Sequence, residues 1–412
     1  MKFASPTSRF RLVLVVWAVA GLALAGGVFA SSVELRLDSG FGKGGVASVS
    51  PAGGNYLLGM GVARTPEGKI VQGVLTAESE AGVVIQYTNG GHRDPAFGDR
   101  GIAGLRFDQG TIDPRDVVAG PGGKIFITGE GRADDSDQYG TALASLSPNG
   151  RPNRNFAGKG ISLPEALERT TPAEMVIDRE GRIVLVGYFG GMPASNTVVA
   201  RFLPGGRLDD SFSGDGVVKM PAVKNQLTRT VAIDRKGRVV VGSPGGAPYR
   251  HEFNVARLLP NGRFDRSFGT DGRQEVDAVK RSYEEISDLA IDGKGRILVT
   301  GESGSRDGII VRLRPGGAID RSFGERGVAD TAWFSPAALV LDRYGRIFAV
   351  GSGEYVGGQV VRFSRNGHAQ EMEFVEGTAH LTDAFVDRKG RLVAAGNRSR
   401  KTVAVARFRS GN

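Results

Sequence analysis

Four carboxylate residues occupy the same position in a spacing that recurs along this 412-residue chain. Each lies seven residues before the glycine of a tight-turn sequence, and the full series at that position is Gly61, Asp116, Glu174, Thr230, Asp288, Ala338 and Asp383. Carboxylate oxygens that converge on one point are the ligands that divalent cations prefer. The spacing therefore predicts a cation site if the fold brings the four acids together. The alternative is that each carboxylate caps backbone amides of a neighbouring unit.

The four acids should also influence one another electrostatically. If they face a common space, mutual repulsion raises at least one pKa unless a cation or an arginine intervenes. Arg115 and Arg229 each stand one position before an aligned site and are the predicted neutralising partners. Neighbouring residues of a strand point to opposite sides, so only the length of an arginine could bring it round.

Other catalytic chemistry has little support in the sequence. The chain has no cysteine, and its histidines lie in different loops without the spacing of zinc ligands: His92, His251, His368 and His380. The glycine- and lysine-containing stretches GKGGV and GKGR lack the spacing of a nucleotide-binding loop, and no nucleophile motif appears in a suitable context. No catalytic residue is therefore assigned.

A second recurring sequence combines acids, phenylalanine and glycine. It reads LDDSFSGDGVV at 208–218, and its phenylalanines recur every 55 to 59 residues at Phe41, Phe97, Phe156, Phe212, Phe268 and Phe323. The acids could form a calcium loop, but Asn153 and Gly40 replace them in two copies. We predict a structural joint instead, in which Phe212 packs between sheets, Asp209 caps the turn and Gly216 leads the backbone into a strand.

The segments between these joints predict β-strands alone. Each copy has four short apolar runs joined by turns, with no helical periodicity, which indicates a four-stranded antiparallel sheet. The turn glycines count seven copies: Gly68, Gly123, Gly181, Gly237, Gly295, Gly345 and Gly390. The expected fold is all-β, a single seven-bladed β-propeller of four-stranded antiparallel blades closed by the N-terminal strand. The outer strand after 359–367 is the least regular, with Phe374 in place of the usual joint.

These repeats resemble a known family. The patterns LDxSFGxxG, DxxGRIxVxG and VARxxPxGxxD are similar to the delta-60 repeats of bacterial exported proteins and, more loosely, to NHL-type propellers. The resemblance runs from Leu35 to the C-terminus and implies a propeller, but it carries over no catalytic residue. The placement of the four acids near the channel mouth resembles lactonase-type propellers, which also need a general base and a lid.

The N-terminus has the pattern of an export signal. Lys2, Arg9 and Arg11 precede an apolar run, and small residues end at Ala30. We therefore expect a signal peptide at 1–30, a propeller at 31–412, and a secreted or cell-envelope protein. Association with a membrane is expected only if the signal is not cleaved.

The charge is basic but repeated rather than clustered. The formal net charge is +9, and arginines recur in the third strand at Arg201, Arg257, Arg312, Arg362 and Arg407 and in one turn at Arg182, Arg238, Arg296, Arg346 and Arg391. Cations placed once per repeat are spread around a ring, unlike the patch of a nucleic-acid binder. We expect a monomer that does not bind nucleic acid.

The variable loops are the expected recognition surface. In a propeller, the repeated turns lie on one face, and the loops that differ between copies lie on the other. The candidate ligand-binding residues in them are Asp135, Asp137, Tyr139, Tyr188, Tyr249, Arg250, His251, Arg306, Asp307 and Tyr355. The function expected is a non-enzymatic binding scaffold that recognises a protein or glycan at the cell envelope and needs no cofactor. The alternative is a metal-dependent, lactonase-like hydrolase that binds a divalent cation at the channel acids.

Overall fold

The computed structural model describes residues 34–51, 56–76, 81–134, 139–190, 194–224, 228–245, 252–279, 284–304, 306–331, 334–353 and 357–409. Residues 194–195, 221–224, 245 and 306–307 are described by their backbone alone. The predicted signal peptide, 1–30, lies outside these ranges. The unit that follows it, Val33–Asn412, is described below.

The described strands form seven antiparallel sheets, called blades 1 to 7. Two short strands come first: β1 (Arg36–Leu37) and β2 (Val46–Val49). Blade 1 contains β3 (Leu57–Arg64), β4 (Ile70–Thr76), β5 (Val83–Tyr87) and β6 (Ile102–Gly104). Blade 2 contains β7 (Arg106–Phe107), β8 (Gly110–Ala119), β9 (Ile125–Ala133), β10 (Tyr139–Leu146) and β11 (Ile161–Ser162). Blade 3 contains β12 (Thr170–Ile177), β13 (Ile183–Phe189), β14 (Ala194–Phe202) and β15 (Val217–Lys224).

The remaining four blades continue the same order. Blade 4 contains β16 (Thr230–Ile233), β17 (Val239–Gly245), β18 (Glu252–Leu258) and β19 (Arg273–Val276). Blade 5 contains β20 (Glu284–Ile291), β21 (Ile297–Ser303), β22 (Arg306–Leu313) and β23 (Val328–Asp330). Blade 6 contains β24 (Ser335–Leu341), β25 (Ile347–Gly353), β26 (Gly357–Phe363) and β27 (Ala369–Val375). Blade 7 contains β28 (His380–Val386), β29 (Leu392–Ser399) and β30 (Thr402–Arg409). Two short 3-10 turns span Pro121–Gly123 and Glu165–Leu167.

The all-β, seven-bladed fold predicted from the repeats is confirmed. The N-terminal strands belong to the sheet of blade 7, where β1 and β2 both pair antiparallel with β30. One strand of each blade contacts its counterparts in the two neighbouring blades, including β28 with β3. These strands, called the first strands below, are β3, β8, β12, β16, β20, β24 and β28. These strands therefore lie innermost. No helix in the described ranges has the length and apolar character needed to cross a membrane.

Among the described residues, the core forms seven apolar clusters, each between two adjacent blades. Blade 3 shows how one strand serves two of them. Ile183 and Leu185 of β13 pack with residues of blade 2, whereas Val184 and Val186 pack with residues of blade 4. Successive side chains of a strand point to opposite faces, so a strand buried on both sides reads as a continuous apolar run.

The Phe-containing sequence is a buried joint, as predicted. Nε of Arg201 donates to Oδ2 of Asp209 at 2.7 Å, and Nη2 donates to Oγ of Ser211 at 2.9 Å. The guanidinium lies over the ring of Phe212, 4.6 Å from its centroid, and Nη1 donates to the carbonyl of Pro260 in blade 4. Asp209 also accepts a hydrogen bond from the backbone N–H of Ser211, which caps the turn. One arginine thus ties the joint of its own blade to the next blade.

The same joint recurs where its residues recur. Its other copies combine Arg257, Asp265 and Phe268; Arg312, Asp320 and Phe323; and Arg407, Asp38 and Phe41. Blade 2 has Ser145 and Asn153 at the two charged positions, and Nδ2 of Asn153 donates to Oγ of Ser145 at 3.1 Å. In blade 2, arginine and acid are therefore replaced together, whereas in blade 1 Gln86 replaces the arginine and Asp94 pairs with Lys69. All six repeated phenylalanines are buried, as predicted.

The turn arginines are also paired within the molecule. Each binds the aspartate four residues before it: Arg182 with Asp178, Arg238 with Asp234, Arg296 with Asp292, Arg346 with Asp342, and Arg391 with Asp387. The irregular outer strand of blade 6 forms as β27, but Phe374 is 47% exposed and does not fill the position of a joint phenylalanine. Arg362 of this blade pairs instead with Glu371 at 2.7 Å.

Candidate functional site

A β-bulge in the first strand positions the aligned residues. In blade 2 the pairing of β8 with β9 shifts between Pro114 and Asp116, and in blade 3 that of β12 with β13 shifts between Pro172 and Glu174. The same shift precedes Asp288, Ala338 and Asp383. A bulge bends the strand and re-aims the side chain that follows it. The aligned acids therefore leave the regular alternation of the inner strands.

Each aligned carboxylate joins its own inner strand to that of the next blade. In blade 2, Oδ1 of Asp116 accepts from the N–H of Val117 at 2.6 Å, and Oδ2 accepts from the N–H of Met175 at 2.9 Å. The other three carboxylates each accept a hydrogen bond from the equivalent N–H of the following blade. These bonds run to Glu174 from Val231 at 2.7 Å, to Asp288 from Leu339 at 2.7 Å, and to Asp383 from Val62 at 2.6 Å.

The non-acidic members of the series fit the same arrangement. A Cβ on Gly61 would lie 2.2 Å from Oδ1 of Asp116, so glycine leaves the space that this carboxylate fills. Thr230 donates its hydroxyl to Oδ1 of Asp288 at 2.9 Å and accepts from the N–H of Leu289 at 3.2 Å. The hydroxyl of Thr230 thus takes the bridging role of a carboxylate.

The four carboxyl groups hold protons more strongly than usual, chiefly because each is buried. Burial, reinforced by the Asp383 carboxylate, raises the pKa of Asp116 to about 8. Burial also raises the pKa of Asp288 to about 7 and that of Asp383 to about 6, against the hydrogen bonds that stabilise their charged forms. Burial and the charges of Asp288 and Asp116 raise the pKa of Glu174 well above its ordinary value.

A cavity of about 370 Å³ adjoins three of these acids, Asp116, Glu174 and Asp383, and is also lined by Arg64 and Phe385. Across the residues that the structure describes, no three or more His, Asp or Glu side chains are arranged as the ligands of a metal ion. The sequence allowed either a cation site or carboxylates that cap backbone amides of a neighbouring unit. In the structure, each of the four carboxylates accepts a hydrogen bond from a backbone amide of the next blade. This arrangement can hold protons and link blades.

The predicted neutralising partners of these acids were wrong. Arg115 pairs with Glu130, with 2.5 Å between Nη2 and Oε1, and Arg229 pairs with Glu285 of the next blade. Glu130 lies on β9, the strand paired with that of Arg115, and Glu285 lies on β20 of the blade next to Arg229. The two arginines therefore pair with glutamates rather than with the aligned acids.

The loop residues predicted from sequence are only partly visible. We call the face that carries the loops between second and third strands and between blades the loop face, and the opposite face the turn face. Tyr139, at the start of β10, is 52% exposed there, and Tyr188 is half-buried near the end of β13. Arg306 and Asp307 lie at the start of β22 and are among the residues described by their backbone alone. The following predicted residues lie outside the described ranges: Asp135, Asp137, Tyr249, Arg250, His251 and Tyr355.

Three consecutive blades expose aromatic side chains on the loop face. Tyr56 precedes β3 and is 43% exposed, and Phe189 ends β13 and is 37% exposed. Together with Tyr139 they represent blades 1, 2 and 3. Arg132 lies over the ring of Tyr139 at 5.9 Å, and Lys219 lies over that of Phe189 at 5.8 Å. Aromatic rings beside cations are side chains that contribute strongly to interfaces.

A polar cluster that sequence reasoning missed lies beside Tyr139 in blade 2. Asp113 is directly opposite Glu130, and Arg132 is directly opposite Tyr139, in the pairing of β8, β9 and β10. Burial, then the Glu130 carboxylate, raises the pKa of Asp113, against the charges of Arg115 and Arg132. Oδ1 of Asp113 and Nε of Arg115 are buried without a hydrogen-bond partner among the described residues. The signal in the sequence was polar residues at alternate positions of neighbouring strands.

The fold defines the class of protein as a seven-bladed β-propeller. Two segments, 181–212 and 295–323, match the model of a family described as a domain of unknown function (DUF5122) beta-propeller. Each match begins at a turn glycine and ends at a joint phenylalanine, so it spans the second strand, the third strand and the joint. Comparison with curated proteins finds no match.

Solved structures share the fold at low sequence identity. A streptogramin B lyase has a TM-score of 0.55 and 12% identity over 88% of this chain and 97% of its own. The polysaccharide lyase Uly1 has a TM-score of 0.51 and 10% identity over 87% of this chain and 90% of its own. The gluconolactonase XC5397 from Xanthomonas campestris has a TM-score of 0.41 and 12% identity over 91% of this chain and 95% of its own. At these identities the likeness concerns the fold alone.

Proposed function

We propose that this protein is a non-enzymatic binding scaffold, built from delta-60-type propeller repeats, that recognises a protein or glycan through its loop face. The observation that carries the proposal is the series of exposed aromatic rings on three consecutive blades, Tyr56, Tyr139 and Phe189. Two of these rings have a cation at their face, Arg132 and Lys219. The repeated turns supply the rigid frame, and the loops supply the contacts.

The chemistry of these side chains suits either class of ligand. A large ring contributes contact area at low conformational cost, and a hydroxyl or neighbouring cation adds direction to the contact. The polar cluster of Asp113, Glu130 and Arg115 lies beside Tyr139 and provides donors and acceptors at the same edge of blade 2. A ligand that crosses blades 1 to 3 would meet both kinds of group.

The scaffold is favoured over a metal-dependent hydrolase because the aligned carboxylates already have partners. Each holds a backbone N–H of the next blade at 2.6 to 2.9 Å, a contact that links inner strands. Metal ligation would compete with those hydrogen bonds. In this proposal the acids maintain the ring, and no cofactor takes part.

Location and assembly form part of the same proposal. The N-terminal sequence pattern supports export, which would place the ligand in the cell envelope or outside the cell. The internal pairing of the repeated arginines supports a partner other than nucleic acid for the loop face, since those cations are engaged within the blades. We propose a monomer.

The test compares two sets of exposed apolar side chains. A triple variant, Tyr56→Ala, Tyr139→Ala and Phe189→Ala, removes the loop-face rings, and Phe374→Ala with Met372→Ala removes exposed side chains of blade 6. Ligands are identified by capture from the envelope fraction and by a glycan array, then measured with purified components by calorimetry. Loss of affinity of about tenfold or more in the triple variant, with the blade 6 variant unchanged, is expected. Equal affinity of both variants would contradict the proposal.

A further inference from the structure

A cavity of about 700 Å³ opens on the turn face between blades 5 and 6. Its walls are the turn after β20, including Lys294, the turn after β24, including Arg343 and Tyr344, and the turn after β26, including Arg365. Arg235 reaches it from blade 4. The volume lies in the range of pockets that bind small ligands. This face carries the repeated turns, and the sequence predicted the recognition surface on the opposite face.

The charges in this cavity do not cancel. Its two acids, Asp292 and Asp342, are each bound by an arginine of their own turn, with 2.6 Å and 2.5 Å between the nitrogen and the carboxylate oxygen. Four other cations in its wall are exposed and form no ion pair with any described acid: Arg235, Lys294, Arg343 and Arg365. Nη2 of Arg343 donates to the hydroxyl of Tyr344 at 2.6 Å, and Tyr344 is 51% exposed. The cavity therefore presents uncompensated positive charge beside an aromatic ring.

The positive charge continues along one side of the turn face. The two central residues of the turn between first and second strands differ from blade to blade. In blades 4 to 7 they include six exposed cations: Arg235, Lys236, Lys294, Arg343, Arg388 and Lys389. In blades 1 to 3 the same positions carry no net positive charge: Pro66 and Glu67, Pro121 and Gly122, and Arg179 and Glu180. The paired arginines are therefore distributed over the ring of blades, whereas these exposed cations are concentrated in blades 4 to 7.

We propose that the basic cavity and the turns beside it bind an acidic glycan, a chain of sugars that carry carboxylate groups. Cations separated from blade to blade match a ligand with negative charges at repeated intervals better than one with a single anionic group. The hydroxyl of Tyr344 and the amide of Asn366 add hydrogen-bonding groups suited to sugar hydroxyls. This site is on the opposite face from the loop-face rings and does not depend on their function.

Oligogalacturonate is the probe, and its affinity for the purified propeller is measured by calorimetry at about 20 and about 200 mM salt. The variant combines Arg235→Gln, Lys294→Gln and Arg343→Gln. The matched control combines Lys124→Gln, Arg151→Gln and Lys159→Gln, three exposed cations of blade 2 with the same loss of charge. Circular dichroism and thermal unfolding verify that both proteins are folded.

We expect the affinity for oligogalacturonate to fall by about tenfold or more in the cavity variant and by less than about twofold in the control. Affinity should also weaken at the higher salt concentration, and a neutral oligosaccharide of equal length should not bind. Three outcomes would overturn the proposal: equal losses in both variants, binding of inorganic phosphate as tight as that of the oligomer, or binding of phosphatidylglycerol vesicles or DNA without binding of the oligomer. Because the loop-face rings are intact in every protein, failure here leaves that proposal unaffected.

Discussion

At the scale of single residues, most of the unusual side chains serve contacts between blades. Arg201 is almost fully buried, yet its guanidinium contacts an acid, a hydroxyl, an aromatic ring and a carbonyl of the next blade. Hydrogen bonds from Ser211 and the charge of Arg201 lower the pKa of Asp209, although burial acts in the opposite direction. A buried charge is tolerated when its partners are complete.

The joint predicts a dependence between its two charges. Asp209→Asn leaves Arg201 buried without its counter-charge, and we expect a loss of about 3–5 kcal/mol in the free energy of unfolding. Arg201→Ser with Asp209→Asn recreates the pair found in blade 2 and should cost less than the sum of the two single changes, with a coupling of about 0.5–3 kcal/mol. Denaturant unfolding of the four proteins measures it. Strict additivity would show that the pair is not coupled.

A second prediction concerns the glycine that makes room for Asp116. Gly61→Ala places a Cβ 2.2 Å from a carboxylate oxygen and 2.7 Å from the N–H nitrogen of Val117, so the inner strands must separate. We expect a loss of about 1–3 kcal/mol. Gly104→Ala, which meets nothing within 4 Å, is the matched control and should change stability by less than about 0.5 kcal/mol. Thermal unfolding that treats both variants alike would contradict this account of Gly61.

At the scale of elements, the repeat predicted the strands well and the local irregularities poorly. Turn glycines and apolar runs were sufficient to count the blades and to place the joint phenylalanines in the core. The bulge before Asp116 has no sequence signature of its own, because it is a shift between two paired strands. Pairing also decided the partner of Arg115, since Glu130 lies on the adjacent strand. Cross-strand neighbours cannot be read until the register is known.

The N-terminal strands carry a prediction at this scale. Val46–Val49 pairs with β30, and Oδ2 of Asp38 accepts from Nε of Arg407 at 2.8 Å. Removal of residues 31–50 exposes the edge of β30 and leaves Arg407 buried without its acid. We expect a large decrease in melting temperature and concentration-dependent association, measured by calorimetry and light scattering. A truncated protein with unchanged melting would show that these strands do not stabilise blade 7.

At the scale of the whole molecule, acids of two kinds respond to pH in opposite directions. The aligned acids are surrounded by other blades and by one another, which raises their pKa values to about 6 to 8 in Asp383, Asp288 and Asp116. The acids of the joints are held by arginines and hydroxyls, which lowers the pKa values of Asp38, Asp209, Asp265 and Asp320. The inner ring therefore favours protonation, and the joints favour ionisation.

The last prediction is a maximum of stability at mildly acidic pH. A raised pKa in the folded protein contributes stability that is complete below the unfolded value of about 4 and is lost as pH rises through about 6 to 8. The lowered pKa values of the joint acids act in the other sense, because their contribution is present above about 4 and is lost as pH falls further. The melting temperature should therefore be highest near about pH 4 and fall as pH rises from there toward about 8. Glu174→Gln keeps an oxygen for the N–H of Val231 and removes one charge from the ring, so it should flatten the decrease above pH 6, whereas the exposed Glu376→Gln should leave it unchanged. Melting curves that rise from pH 6 to pH 8, or that respond equally to both variants, would show that the ring acids are not coupled as their positions require.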